Sequence, residues 1–192
     1  MATADVDIVN SALVKVGAPL IVSLSDSSAN AIICNEQYAK SRKKLLSSHP
    51  WNFATRRVAL ALTANTPVYE YDSEFLLPSD VLRVLETDLP EEEPWEVEFN
   101  VDNNKVLLCN SSAVNIKYIK DITDPTKFPP YFEEALAWLH ASDIAYRITQ
   151  SLTLAQSLYK AYKLEVAEAR SMDAQEAGRQ FYETNPWIDV RW

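Results

Sequence analysis

Hydrophobic positions recur at helical spacing in four segments of the chain, two near its beginning and two near its end. The pattern predicts four helices, over residues 5–16, 28–48, 130–148 and 153–177. The last of them opens with Thr153 and Gln156, which have the spacing of a capping box. Both glycines of the chain, Gly17 and Gly178, stand where a helix is expected to stop.

Side-chain spacing also predicts which faces of these helices pack and pair. Small and aromatic residues alternate at spacings of four and three along the fourth helix and predict its buried face: Ala155, Tyr159, Tyr162, Val166 and Ala169. Asp143 and Arg147 are spaced for an ion pair within the third helix. The basic run at residues 40–44 suits the negative end of the second helix and pairing with acids of a neighbouring element; contact with phosphate is the alternative.

Between residues 51 and 126 the hydrophobic period shortens to that of β-strands. Alternation predicts five or six strands, over residues 56–62, 67–71, 81–85, 95–99, 105–109 and 114–118. In segment 95–99 the apolar residues alternate with Glu96 and Glu98, so one face is expected to be buried and the other wet. Residues 102–104, Asp-Asn-Asn, predict a tight turn between two of these strands.

The chain order therefore predicts an α+β fold. We expect an antiparallel bundle of four helices, a small antiparallel β domain inserted between the two helix pairs, and an extended C-terminal arm. The bundle is expected to comprise residues 1–50 and 126–179, the β-rich insertion residues 51–125, and the arm residues 180–192.

The amino-acid composition excludes several classes of enzyme and binding protein. Only 2 of the 192 residues are glycine, whereas an average composition of about 7% gives roughly 13. Phosphate-binding loops and the nucleophile elbow need glycines at close spacing, so the glycine-dependent nucleotide folds and the GxSxG hydrolases are excluded. The balance of 27 Asp+Glu against 18 Lys+Arg gives a net charge of −9, which disfavours sequence-independent DNA binding.

The chain shows no feature of a membrane or secreted protein. No apolar run reaches the length of a membrane helix, and the first residues lack the pattern of a secretory leader. The cysteines Cys34 and Cys109 give no disulfide framework and fit a reducing compartment. With His49 and His140 they never come closer than 15 residues in sequence, so we expect no metal, cofactor or Cys–His nucleophile. His49, directly before Pro50, is interpreted as a helix-end residue.

The acidic run at residues 88–98 has two interpretations. Consecutive glutamates beside prolines are typical of a solvated loop, because like charges repel. A pair of catalytic carboxylates is the alternative, and it requires two carboxylates of different burial in one pocket.

The final residues predict a protein interface. They combine aromatic, proline and arginine residues, which anchor protein interfaces when they are buried: Phe181, Tyr182, Pro186, Trp187, Ile188, Arg191 and Trp192. A free terminus is normally polar, so this arm is expected to insert into a partner. Folding back onto its own core is the alternative.

Three segments carry a resemblance to a known family. Residues 45–54 read LLSSHPWNFA and are followed by Arg56 and Arg57; residues 76–84 read LLPSDVLRV; residues 128–138 read FPPYFEEALAW. In this order they resemble tail tubular protein A, the adaptor or head-to-tail connector of tailed bacteriophages and their prophages. The similarity extends over nearly the whole chain, from the two helices before HPWNFA to the closing helix pair.

The resemblance implies a structural protein and no catalysis. It implies a homo-oligomeric ring, usually of twelve subunits, docked beneath the portal protein, on which the tail nozzle or another tail protein assembles. It also implies a C-terminal arm that reaches an adjoining subunit or the portal. Such a protein is made in the bacterial host cytoplasm and resides in the neck or tail of the virion. Its lumen passes DNA without binding it specifically, which the acidic balance favours.

Two functions of other classes stay open at this point. One is a non-viral α+β protein-binding module, which the resemblance alone argues against. The other is a hydrolase built on the acidic β region, for which the sequence offers no trusted pair of carboxylates.

Overall fold

The computed structural model describes residues 4–176. Its four α-helices are α1 (Asp5–Val16), α2 (Ala29–Ser47), α3 (Pro130–Thr149) and α4 (Leu152–Gln175). All four predicted helices are confirmed. The start of α4 was predicted wrongly: its N-cap is Ser151, whose hydroxyl accepts from the Leu154 amide, and not Thr153.

The residues at the helix ends explain where the helices begin and stop. Gly17 adopts the left-handed conformation with φ of 78° and ends α1, as predicted. Ser28 caps α2 by accepting from the Ala31 amide. With glycine so scarce, Gln150 takes the left-handed position after α3 at φ 55°. Gly178 lies outside the described residues.

Seven strands form two antiparallel sheets. They are β1 (Thr55–Ala59), β2 (Ala61–Leu62), β3 (Ser73–Leu76), β4 (Val81–Thr87), β5 (Glu96–Phe99), β6 (Lys105–Cys109) and β7 (Asn115–Lys120). The three-stranded sheet has the order β1-β7-β4, and the four-stranded sheet has the order β2-β3-β6-β5. The predicted turn is confirmed between β5 and β6, where Asn103 has φ of 61°. The α+β class with an antiparallel β region between two helix pairs is therefore confirmed.

Two strand predictions are wrong. Segment 67–71 is a loop in which Val68 and Tyr69 are exposed, and the strand lies further on, at β3. β3 forms there because Phe75 pairs with Leu107 of β6 and is buried. Segment 56–62 is not one strand either, since the chain leaves the three-stranded sheet after β1 and joins the four-stranded sheet as β2.

The three-stranded sheet lies between two cores. The first core joins the helices to this sheet: α3 packs against α1, α2 and α4, and Ile119 of β7 contributes to the same cluster. The second core fills the space between the two sheets, with buried residues Phe75, Leu77, Val81, Leu107, Cys109, Val114, Ile116 and Tyr118. The first core includes Trp51 and Ile122, which lie within the predicted β insertion. The division into domains stays a prediction.

Two packing predictions need correction. Tyr159 is exposed on α4, and Leu158 takes its place in the buried face that continues through Tyr162 and Val166. The period of 3.6 residues per turn moves the face by one position there. On β5, Val97 packs against the second core as expected while Glu96 and Glu98 are wet, but Phe99 at the strand end is exposed.

Candidate functional site

The predicted interface lies outside the described residues. Its members are Phe181, Tyr182, Pro186, Trp187, Ile188, Arg191 and Trp192, whereas the description ends at residue 176. The structure instead places the end of α4 against the residues that precede β1.

The end of α4 is held by a buried carboxylate. Asp173 is 2% exposed and accepts hydrogen bonds from the Asn52 backbone amide, at 3.0 and 3.3 Å to its two oxygens. The Tyr131 hydroxyl of α3 lies 3.2 Å from Asp173 Oδ1 and 3.3 Å from Glu176 Oε2. Burial and these two carboxylates raise the pKa of Tyr131, so its hydroxyl stays a donor. Asp173 thus joins α3 and α4 to the turn before β1.

His49 contributes to the same cluster. Its Nε2 lies 3.4 Å from Asp173 Oδ2, and its ring meets that of Trp51 edge-on at 4.8 Å between centroids. Burial lowers the pKa of His49, and the nearby Asp173 charge opposes this. His49 follows the end of α2 as predicted, but its partner is this carboxylate of α4.

Trp51 is the centre of an aromatic cluster in which segments 45–54 and 128–138 contact each other. It is fully buried, and its indole Nε1 donates to the Leu45 carbonyl oxygen at 3.0 Å. The Phe132 ring lies 5.3 Å from it, and Phe53 lies 4.9 Å from Phe132. Edge-to-face geometry of this kind adds to the hydrophobic contribution. Segments 45–54 and 128–138 therefore form one joint between the helices and the three-stranded sheet.

An open cleft of 630 Å³ borders this joint. Its walls carry both signs of charge, with His49 and Asp173 on one side and Arg57, Lys117 and Glu86 on the sheet. Lys117 pairs with Glu86 at 3.0 Å, and the Thr55 hydroxyl donates to the Trp51 carbonyl oxygen. Except for Arg57, these side chains already have partners, so the cleft offers contacts to a polar chain.

The basic run at residues 40–44 pairs with acids of neighbouring elements, as predicted. Arg42 is buried and bonds Asp121 through both Nε and Nη2, and Lys43 reaches the same carboxylate at 3.5 Å. Lys44 lies 3.3 Å from Asp143. The predicted pair of Asp143 with Arg147 is wrong, because Asp143 accepts from α2.

A buried polar cluster between α2 and α3 was not predicted. His140 has no exposed surface, and its Nδ1 lies 3.5 Å from Ser41 Oγ, which donates to Asp143 at 2.8 Å. Serine therefore bridges histidine and carboxylate, whereas in a catalytic triad histidine bridges the other two. The His140 Nε2 has no partner among residues 4–176. Burial lowers the pKa of His140 to about 4.

The acidic run is mostly solvated. Glu91, Glu92, Glu96 and Glu98 are exposed, as the loop interpretation predicts, while Glu93 is partly buried and accepts from the Ser111 hydroxyl. Asp88 is exposed and accepts from the backbone amide and side chain of Asn115, which lowers its pKa.

Glu74, a residue the sequence did not single out, is the buried carboxylate of the β region. It is 5% exposed and shares a second cleft with the exposed Glu98. The two therefore differ in burial, which is the arrangement that the hydrolase alternative requires.

The four soft or imidazole ligands lie apart. Cys34 belongs to the first core and Cys109 to the second. Burial raises the pKa of both thiols, that of Cys34 to about 11. Within residues 4–176 no three His, Cys, Asp or Glu side chains are grouped as a metal ion would need. In the same part of the chain, no helix combines the length and apolarity that crossing a membrane requires.

No protein-family model matches the sequence, and a search among curated proteins finds no significant match.

Proposed function

We propose that this chain is a structural protein of a tailed-phage virion: an adaptor that forms a ring between portal and tail. The observation that carries the proposal is the joint around Trp51. Two of the three segments that resemble tail tubular protein A pack on each other there through Phe53 and Phe132. The third segment reaches the same core through Leu82. Separate parts of the family-like sequence thus serve one structural unit.

The joint also supports a role for the arm. Asp173 fixes the last turn of α4 to the chain before β1, and residues 180–192 follow this turn in the sequence. A firmly held base lowers the ordering cost when an aromatic segment docks on a partner. In this proposal the helices form an antiparallel bundle, the β region is its insertion, and the arm is the main anchor.

The partners follow from the proposed position in the virion. They are further copies of this chain, twelve in one ring, the portal protein, and the nozzle or another tail protein. DNA passes through the lumen without specific contacts, since a net charge of −9 repels phosphate. The isolated protein is expected to be monomeric and to form rings on the portal, where the arm finds its surface. The chain catalyses no reaction.

The hydrolase alternative has one observation in its favour, the pair Glu74 and Glu98. Glu74 Oε1 accepts from the Thr63 hydroxyl and from the Asn100 side-chain amide. Both donors contact the same oxygen of Glu74, so the other oxygen, Oε2, is left to contact a bound group. We therefore assign this pair to binding.

Docking on portal-containing heads tests the proposal. The full chain is mixed with heads that carry the portal of the same phage, and bound protein is measured after sedimentation. We expect saturable binding that is lost on deletion of residues 181–192. Matched variants separate aromatic anchoring from charge: Trp187→Ala with Trp192→Ala is expected to abolish docking, and Glu183→Gln to leave it unchanged. Absence of binding by the intact chain would refute the adaptor function, and unchanged docking after deletion would refute the anchoring role of the arm.

Light scattering tests the assembly state separately. We expect the mass of one subunit in dilute solution. A stable dodecamer in the absence of portal would contradict assembly on the portal and leave the adaptor function to the docking experiment.

A further inference from the structure

The outer face of the four-stranded sheet carries acidic residues on both sides of an apolar strip. Strand register places Glu74 of β3 and Glu96 of β5 opposite Leu108 of β6, and Glu98 opposite Val106. Tyr71 packs on Val106 and Leu108 and covers the strip. Neighbouring strands are about 4.8 Å apart, so the two acidic rows face each other across about 10 Å.

This face forms a cleft with the loop at residues 65–71. The cleft has a volume of 290 Å³, and its lining includes Glu74, Glu98, Tyr69 and Tyr71. No lysine, arginine or histidine is among the described residues that line it. Its size suits one long side chain.

Glu74 is a buried charge without a cationic partner among residues 4–176. Its Oε1 accepts from two neutral donors, and its Oε2 accepts no hydrogen bond in that part of the chain. None of the ion pairs there involves Glu74 or Glu98. Glu74 Oε2 is not one of the solvent-inaccessible atoms without a partner in residues 4–176, so it faces the cleft, where an opposite charge can pair with it.

The surroundings add negative potential. The adjacent Glu70 and the charge of Glu96 raise the pKa of Tyr69. Burial raises the pKa of Tyr71, and the charges of Glu96, Glu70 and Glu98 contribute in the same direction. A cation entering the cleft would meet this potential and two tyrosine rings.

The rim of the cleft is apolar and exposed. Val68 and Val101 are almost fully exposed, and Tyr69 and Phe99 largely so. A free metal ion would gain nothing from such walls, because it prefers oxygen ligands throughout. A protein segment would cover the rim while one long side chain buries its apolar stem against the rim residues.

We propose that this cleft binds an arginine side chain of a partner protein. Its guanidinium group donates to Glu74 Oε2 and Glu98 and stacks on tyrosine, since a planar fork suits carboxylate and aromatic faces better than an ammonium does. The site lies on the opposite side of the three-stranded sheet from the Trp51 joint, so arginine binding there is tested separately from docking on the portal.

Nuclear magnetic resonance with small probes tests the site. Acetyl-arginine-amide is titrated at millimolar concentration into the full ¹⁵N-labelled chain, and acetyl-citrulline-amide serves as its neutral isostere. We expect saturable shifts of the amide signals of residues 65–71 and 98–101 with arginine and none with citrulline. Equal shifts with both probes, or arginine shifts spread over all acidic loops, would overturn the proposal.

Charge-matched variants locate the contact. Glu74→Gln is expected to weaken arginine binding at least about tenfold, as loss of a charge-assisted hydrogen bond does. Glu98→Gln provides a second test on the exposed wall, with a loss of several-fold. Glu92→Gln changes the net charge equally but lies in the solvated loop, and is expected to have no effect. Equal losses in Glu92→Gln and Glu98→Gln would show a net-charge effect and overturn the site.

A further variant shows whether the arginine that binds the cleft belongs to a partner protein or to this chain. Arg179→Gln with Arg191→Gln removes the arginines of the C-terminal segment. We expect the probe to bind this variant and the natural chain equally. Binding to the variant alone would show that the chain fills its own cleft and would overturn the partner assignment.

Discussion

Buried charged side chains on the two sides of the three-stranded sheet differ in their hydrogen-bond partners. On the helix side, Asp173 is met by the Asn52 amide and by His49, and Arg42 is met by Asp121. On the far side, Glu74 has two neutral donors and lies beside exposed apolar side chains. Both oxygens of Asp173 accept hydrogen bonds inside the fold, whereas Glu74 accepts through Oε1 only and lines a cleft. The difference indicates a rigid joint on one side and a contact surface on the other.

Substitutions of Trp51 and Trp95 should differ most in their effect on the free energy of unfolding. Trp51→Ala removes a fully buried ring and its hydrogen bond to the Leu45 carbonyl oxygen, which still accepts from Ser48, so the free energy of unfolding should fall by about 4 kcal/mol. Trp95→Ala removes a partly buried ring from the second core and should cost about 1–2 kcal/mol. Urea unfolding followed by circular dichroism measures both. Equal losses of stability in the two variants would contradict the distinction between a rigid joint on the helix side and a contact surface on the far side.

Lowering the pH should destabilise the folded chain through protonation of His140, which is buried on the helix side. Its pKa is about 4 in the folded chain and 6.5 ordinarily, so between these values the unfolded chain binds the proton and the folded chain does not. The free energy of unfolding therefore falls as the pH falls from 6.5 to 4, by about 3 kcal/mol from this group. Urea unfolding at several pH values measures the slope. His140→Gln should flatten it, and parallel pH profiles for the two proteins would contradict the assignment.

Loss of the Asp173 carboxylate should open the joint. Asp173→Ala leaves the Asn52 amide without its acceptor, and the free energy of unfolding should fall by about 2 kcal/mol. Hydrogen exchange at the Asn52 amide should become faster in the same variant. Glu176→Gln, on an exposed residue one turn further on, should change stability by less than about 0.5 kcal/mol. Unchanged exchange at Asn52 in Asp173→Ala would contradict the role of Asp173.

The smallest expected effect has the opposite sign. Glu74→Gln removes the unmatched charge, and its side-chain carbonyl can still accept from Thr63 and Asn100. The free energy of unfolding should rise by about 1 kcal/mol. Thermal unfolding measures this change, with Asp173→Asn as the matched substitution on the other side. A loss of stability in both would show that Glu74 is a structural residue like Asp173.

Local signals predict the helices well and the strands less well. Gly17 and Ser28 mark helix ends by chemistry that is readable in the sequence. The segment Val68-Tyr69 has β-forming residues yet is a loop, because the partner of β6 is Phe75 and its neighbours. Strand pairing is decided by tertiary packing, which residue propensity does not contain.

The candidate sites were harder to predict because their partners are distant in sequence. Asp173 meets Asn52 across 121 residues. One signal was present: Asp173 continues the buried face of Val166 and Ala169, and a carboxylate on such a face needs a partner. Glu74 carried no comparable signal, since its surroundings depend on the register of β3 with β6. The predicted interface at residues 181–192 stays a prediction.

Electron microscopy of the chain mixed with portal-containing heads shows directly whether it forms a ring beneath the portal. Averaged images of heads with and without the added protein reveal where it binds and with what symmetry. The adaptor account predicts extra density as a ring of twelve subunits directly beneath the portal, coaxial with the DNA channel. Heads without additional density, or protein bound away from the portal axis, would contradict it.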